Sequence, residues 1–224
     1  MRMRCQLAIV LLLAGIVQAQ VVDRMVAVVN KRVILESELD QAVRVEFLIQ
    51  GKSVDKITQA DRAAALERLI DRSLLDQQIV NPSMLDPTPE ELAAKVKEVR
   101  SQFSDSATDA RWTAILAGYG LNQQDLEEQL ISEFHILRFI DLRFRGLVRV
   151  EKNDIAAYYR DHFLPELRKR NVPEPGLAEV SGKIEQILVE QNIDGLLTDW
   201  LKTLRAQAHI EKMLPAAPVS GALP

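Results

Sequence analysis

Cysteine is almost missing from this 224-residue sequence. Cys5 is the only one and lies in the first few residues, which leaves no internal disulfide, no Cys-based metal site and no thiol chemistry for a folded body. Aromatic residues are also scarce, at 5%. Leu, Ala, Ile, Val, Glu, Gln and Arg recur instead, a balance that favours helices over a many-stranded sandwich. The marks of common chemistry are absent too. His135, His162 and His209 are scattered, with no H-E-x-x-H, and there is no G-x-x-x-x-G-K-[ST], G-x-G-x-x-G or G-x-S-x-G. Asp161 and His162 are adjacent, so on a helix they point about 100° apart, and no nucleophile accompanies them. The pairs Glu90-Glu91 and Glu127-Glu128 sit where first-turn acids complement a helix dipole. The expectation is therefore no catalytic residue, no cofactor and no metal.

The N-terminus carries a recognisable pattern. Arg2 and Arg4 precede an apolar run from Leu7 to Val17, followed by Val17-Gln18-Ala19. The run is 11 residues long, short of the roughly 20 needed to span a bilayer, so residues 1–19 read as a cleaved secretory signal peptide. No cysteine follows the small residues, so no lipid anchor and no stable membrane insertion are expected. Of 28 basic residues the leader removes Arg2 and Arg4, leaving 26 against 32 acidic and a net charge of about −6, which argues against a nucleic-acid partner. An exported chain without cysteine points to a bacterial periplasm.

Two runs rich in Val and Ile, Arg24 to Val29 and Arg32 to Leu35, flank Asn30-Lys31 and predict a small β-hairpin. Such a hairpin is marginal alone and needs a third strand or a helical cover. Helix starts follow at Ser37-x-x-Asp40, Thr58-x-x-Asp61, Thr88-Pro89-Glu90-Glu91 and Asn122-x-x-Asp125, each with a capping oxygen ahead of a first-turn acid. Apolar spacings agree, as in Leu66, Leu69, Ile70 and Leu74, and Gly51, Pro82 and Gly120 supply stops. A short helix is expected from about Asn153 to Phe163, then a Pro-rich basic connector over 165–182. Helical patterning resumes from Val180, breaks near Asn192 to Gly195, and continues through Trp200 to Ala208. His209 to Leu214 reads as a closing strand, and 215–224 as a disordered tail. The predicted architecture is mainly α, with the small N-terminal hairpin joined by a C-terminal strand in a body spanning 20–214.

The longest predicted helix, 122–147, is apolar on two faces. Leu126, Leu130, Phe134, Leu137, Ile140 and Phe144 form its main core face, and Ile131, His135, Phe139 and Leu142 lie opposite. A second apolar face must be covered or remain available to a partner. Candidate binding residues are therefore Phe103, Trp112, Tyr119, Ile131, Phe139 and Leu142. If Phe139 is covered by the C-terminal helices, the binding surface would be the concavity between the core and the helices from Thr88 to Tyr119.

The run from Ala27 to Asp40, A-V-V-N-K-R-V-I-L-E-S-E-L-D, resembles the start of the SurA-type periplasmic chaperones. The likeness continues through Gly120-Leu121-Asn122, through Val150 to Tyr159, and in W-L-K-T-L-R-A-Q-A-H-I from Trp200 to Ile210. The resemblance implies a helical chaperone core built from both ends of the chain. It implies unfolded polypeptides, outer-membrane protein precursors among them, as partners, held without ATP. In that family parvulin-type prolyl isomerase domains lie between the two ends. Here only 165–182 occupies that place, far below the roughly 50 residues of a small domain, so no isomerase residue is transferred and no enzyme is expected. The alternatives are an isomerase, as the family label would have it, and an envelope assembly protein with one fixed partner. The sequence sets no client identity and no oligomeric state.

Overall fold

The computed structural model describes residues 23–104 and 106–213. The leader and the tail expected from the sequence lie outside them.

The hairpin forms as predicted. Strands β1 (Met25–Val29) and β2 (Arg32–Leu35) pair antiparallel, and Asn30 makes the turn at a φ of 58°. Strand β3 (Ile210–Lys212) pairs antiparallel with the other edge of β1, giving the order β2-β1-β3. Among the described residues the central strand is thus the first and one neighbour is the last, which ties the N-terminal hairpin to the segment after the final helix. Alternation along the strands turns Ala27, Val29 and Ile34 to one face, where each is fully buried.

Among the described residues eight α-helical segments carry the rest: α1 (Glu36–Ile49), α2 (Gln59–Asp76), α3 (Pro89–Ser101), α4 (Asp109–Gly118), α5 (Gln123–Phe144), α6 (Lys152–Tyr158), α7 (Leu164–Lys169) and α8 (Leu177–Gln207). Thr58, Thr88 and Asn122 cap α2, α3 and α5 through reciprocal boxes with Asp61, Glu91 and Asp125. The start expected at Ser37 is displaced. Helix α1 runs directly out of β2 from Glu36, and the Ser37 hydroxyl inside its first turn bonds to Asp23 instead of capping.

The 165–182 stretch is more helical than a connector. A single π turn, Tyr159–Phe163, carries α6 into α7, and Pro165 follows it in the first turn of α7. Only 170–176 is irregular before α8 begins. The break expected near Asn192 to Gly195 does not occur, and α8 runs unbroken for 31 residues. Buried Ile184 and Ile193 anchor it on the body, and this packing outweighs the roughly 1 kcal/mol that Gly182 or Gly195 costs within a helix.

Two apolar clusters share α1. The first joins the inner sheet face to Leu39, Val43 and Phe47 of α1 and to Leu69, Ile70 and Leu74 of α2, with Leu204, Ala208 and Ile210 from the C-terminal end packed against it. The second gathers Val45 and Leu48 with Val99, Trp112, Leu116, Leu121, Leu126 and Leu130.

Candidate functional site

Between α1, α2 and α5 the surface opens into a groove of about 460 Å³. Its floor is apolar: Ala42, Val45 and Ile49 come from α1, Ala65, Leu69 and Leu75 from α2, and Ile136 and Leu137 from α5. The α1 residues follow the i, i+3, i+7 spacing that places them on one stripe. Val45 on this stripe belongs to the second core, and Ala42 beside it and Ala65 on α2 are too small to fill the space where three helices meet. Leu137 projects over the opening with 56% of its surface exposed.

The rim is charged. Arg68 pairs with Glu46, and Asp71 with Arg205 at 2.5 Å. Arg72 and Glu133 stand on α2 and α5. Burial pushes the Arg72 guanidinium below its ordinary value, against the opposing pull of Asp76, Glu133 and Glu38. Burial also raises the Asp76 carboxyl one turn further along α2. Arg72 separates the groove from a smaller polar hollow of about 230 Å³ that Asp76, Glu38 and Arg32 line. Beyond the groove, α5 holds the turn after α2. His135 Nε2 lies 2.7 Å from the Asp86 carboxylate, and Arg138 donates to the Asp86 carbonyl and to Glu91, each at 2.6 Å. The Thr88 backbone N–H, and then Arg138, hold the Glu91 carboxyl below the usual range.

The residues singled out from the sequence fall in three places. Phe103, Trp112 and Tyr119 come together, with ring centroids 6.1 Å and 6.2 Å from Phe103. They form part of the second core, where Trp112 is buried and donates to Gln123. Phe139 is half-buried against Trp200 of α8 at 5.9 Å, and Trp200 also meets Phe144 edge-on at 5.6 Å. Ile131 is half-buried, and Leu142 is 75% exposed. None of the six lines the groove.

The concavity expected beside the 88–119 helices is present, about 630 Å³ between α3, α4 and the start of α5. Leu92, Ala93 and Val96 share it with Lys97, Arg100, Asp109 and Glu127, so its lining is more charged than the groove floor. Sequence reasoning missed Ala42, Ala65, Ile136 and Leu137, and it assigned Leu137 to the main core face. That face holds for Leu126, Leu130 and Phe144, but Leu137 is exposed because α5 has left the second core by that turn. The available signal was a pair of alanines on facing apolar stripes.

Among the described residues no group of His, Cys, Asp and Glu could hold a metal ion, and no helix is long and apolar enough to cross a membrane.

Comparison with known proteins adds ancestry to this geometry. The chain is 34% identical over 154 residues to the protein named Chaperone SurA of Pseudomonas putida, and 30% identical over 154 residues to that of Pseudomonas syringae pv. syringae. Each match takes in 66% of this chain but 35% of the relative, so it spans about a third of their length. The family model of the SurA-like N-terminal domain matches residues 5–139, which carry β1 through most of α5 and every groove-lining helix. The chain belongs to the SurA-like N-terminal domain family.

Proposed function

We propose that the protein is an ATP-independent chaperone that holds unfolded polypeptides, outer-membrane protein precursors among them, in the bacterial periplasm. The observation that carries this reading is the open apolar groove between α1, α2 and α5, built wholly from the segment matched by the family model. A holding chaperone needs apolar surface that stays accessible outside its own core, and an exposed Leu137 beside half-buried Ala42, Ile49 and Ile136 provides it. The outer edge of β2 offers a second, backbone-directed mode of contact.

The leader pattern of residues 1–19 supports export, and the relatives' name supports the class of activity. No isomerase role is assigned, since the link from α7 to α8 is 170–176 and carries no domain.

Aggregation of an outer-membrane β-barrel precursor diluted from urea tests the reading. Leu137→Asp is expected to leave stability within about 0.5 kcal/mol, because the site is more than half exposed. It should nevertheless weaken suppression of aggregation severalfold. Full suppression by a stably folded Leu137→Asp variant would place the binding surface elsewhere. Binding to one folded envelope protein and to no unfolded chain would favour an assembly factor.

A further inference from the structure

Arg72 and Glu133 line the groove from α2 and α5, and among the described residues neither closes to an ion pair within 4.0 Å. The other charged groups of the rim are engaged, Glu46 with Arg68 and Asp71 with Arg205. The Arg72 guanidinium carries five N–H donors, yet makes one long hydrogen bond, 3.4 Å to the Gln129 carbonyl. Among the described residues the Glu133 carboxylate accepts none, and no ion pair within 4.0 Å joins it to Arg72. Asp76 and Glu38 act on Arg72 from the far side, also without closing to an ion pair. A partly buried donor thus faces an apolar groove beside an acceptor that no described group engages, and an occupant able to pair with both gains two charge-assisted hydrogen bonds.

An anion would satisfy Arg72 and be repelled by Glu133, and a cation would meet the reverse. The group that complements both is neutral and dipolar, with an acceptor and a donor close together, and a peptide unit is one. A folded protein spends its peptide groups on its own helices and sheets. An extended, unfolded segment leaves them available.

We propose that Arg72 and Glu133 clamp the main chain of an extended polypeptide in the groove, the guanidinium donating to a backbone carbonyl and the carboxylate accepting a backbone N–H. The client's side chains rest on the apolar floor. The arrangement rests on the groove being the client site and adds how that site tolerates many sequences: it reads backbone that every unfolded chain shares. At about 460 Å³ the groove takes a short extended stretch and not a folded element.

The test uses a fluorescent ten-residue peptide of alternating Leu and Ser and its counterpart methylated at alternate backbone nitrogens, which keeps the side chains and charge but removes N–H donors. Fluorescence anisotropy should show the wild-type protein binding the methylated peptide roughly tenfold more weakly, as expected for losing a hydrogen bond to a charged group. The double variant Arg72→Met/Glu133→Met, shown to be folded by circular dichroism, should bind both peptides weakly and equally. If Arg72→Met does not fold, Glu133→Met alone should abolish the penalty for methylation. An equal loss on methylation in wild type and variant would overturn the clamp. So would affinity that follows the charge of added Lys or Asp side chains. Binding of both peptides that Leu137→Asp weakens, without any methylation penalty specific to the wild type, would sink the clamp and leave the groove reading standing. Failure of the wild type to bind either peptide would sink both.

Discussion

Trp200→Ala probes whether the two ends of the chain make one cooperative body. Trp200 sits on α8, and its ring meets Phe139 at 5.9 Å and Phe144 at 5.6 Å while the Arg143 guanidinium lies 4.0 Å from its centroid. A Trp side chain buries about 150–250 Å² when covered; with roughly half of that covered here, truncation removes about 2–3 kcal/mol at 25 cal/mol per Å². Losing the two ring contacts and the cation stacking brings the expected cost to about 3 kcal/mol. Urea unfolding should be followed by far-UV circular dichroism, because the substitution removes one of only two tryptophans. With a slope of about 2 kcal/mol per molar urea, the midpoint should fall by about 1.5 M in a single transition. An unchanged midpoint, or two separated transitions with α8 melting first, would refute the two-ended core.

Asp76→Asn should stabilise the protein at neutral pH. Burial raises the Asp76 carboxyl above its unfolded value, so the native state binds the proton more tightly and the ionised group opposes folding as pH rises through the folded pKa. Melting temperatures of variant and wild type should therefore differ at pH 7 and converge below the unfolded value of 3.8; a variant less stable at pH 7 would contradict this. Gly120→Ala should destabilise by about 1–2 kcal/mol in urea titration, because φ is +68° there and a Cβ would collide with the Arg44 guanidinium. Mass spectrometry of the exported protein should find Gln20 as the first residue. Retention of Arg2 and Arg4 in a membrane fraction would mean an uncleaved anchor.

Local chemistry was legible wherever a few neighbouring residues decide the outcome. Thr58, Thr88 and Asn122 announce their helices because the cap and its partner lie three residues apart. Asn30 and the Val/Ile runs around it announce the hairpin in the same way. What was not legible depends on partners far along the chain. Gly195 reads as a break until Ile184 and Ile193 are seen to be buried. Ser37 reads as a cap until Asp23, across the strand pair, takes its hydroxyl.

The candidate site was harder still. Aromatic side chains draw attention in a sequence, and Phe103, Trp112 and Tyr119 do meet, but as packing in the second core. The groove owes its existence to small residues, Ala42 and Ala65, and to α5 leaving that core after Leu130. Two alanines on separate helices signal a missing volume only once the helices are known to face each other, and the stripe that carries Leu137 looks the same whether or not a helix covers it.

Crosslinking at the groove tests the central claim most directly. The only cysteine of the sequence is Cys5, so a chain produced from Gln20 onward and carrying Leu137→Cys takes one benzophenone maleimide at the mouth of the groove. A second protein, labelled through Glu211→Cys on exposed β3, serves as the reference. With an unfolded outer-membrane protein precursor and light, the account predicts strong crosslinking from position 137 and little from 211, with unlabelled precursor competing it away. Equal yields from the two positions, or a product from 211 alone, would contradict the groove as the place where unfolded chains are held.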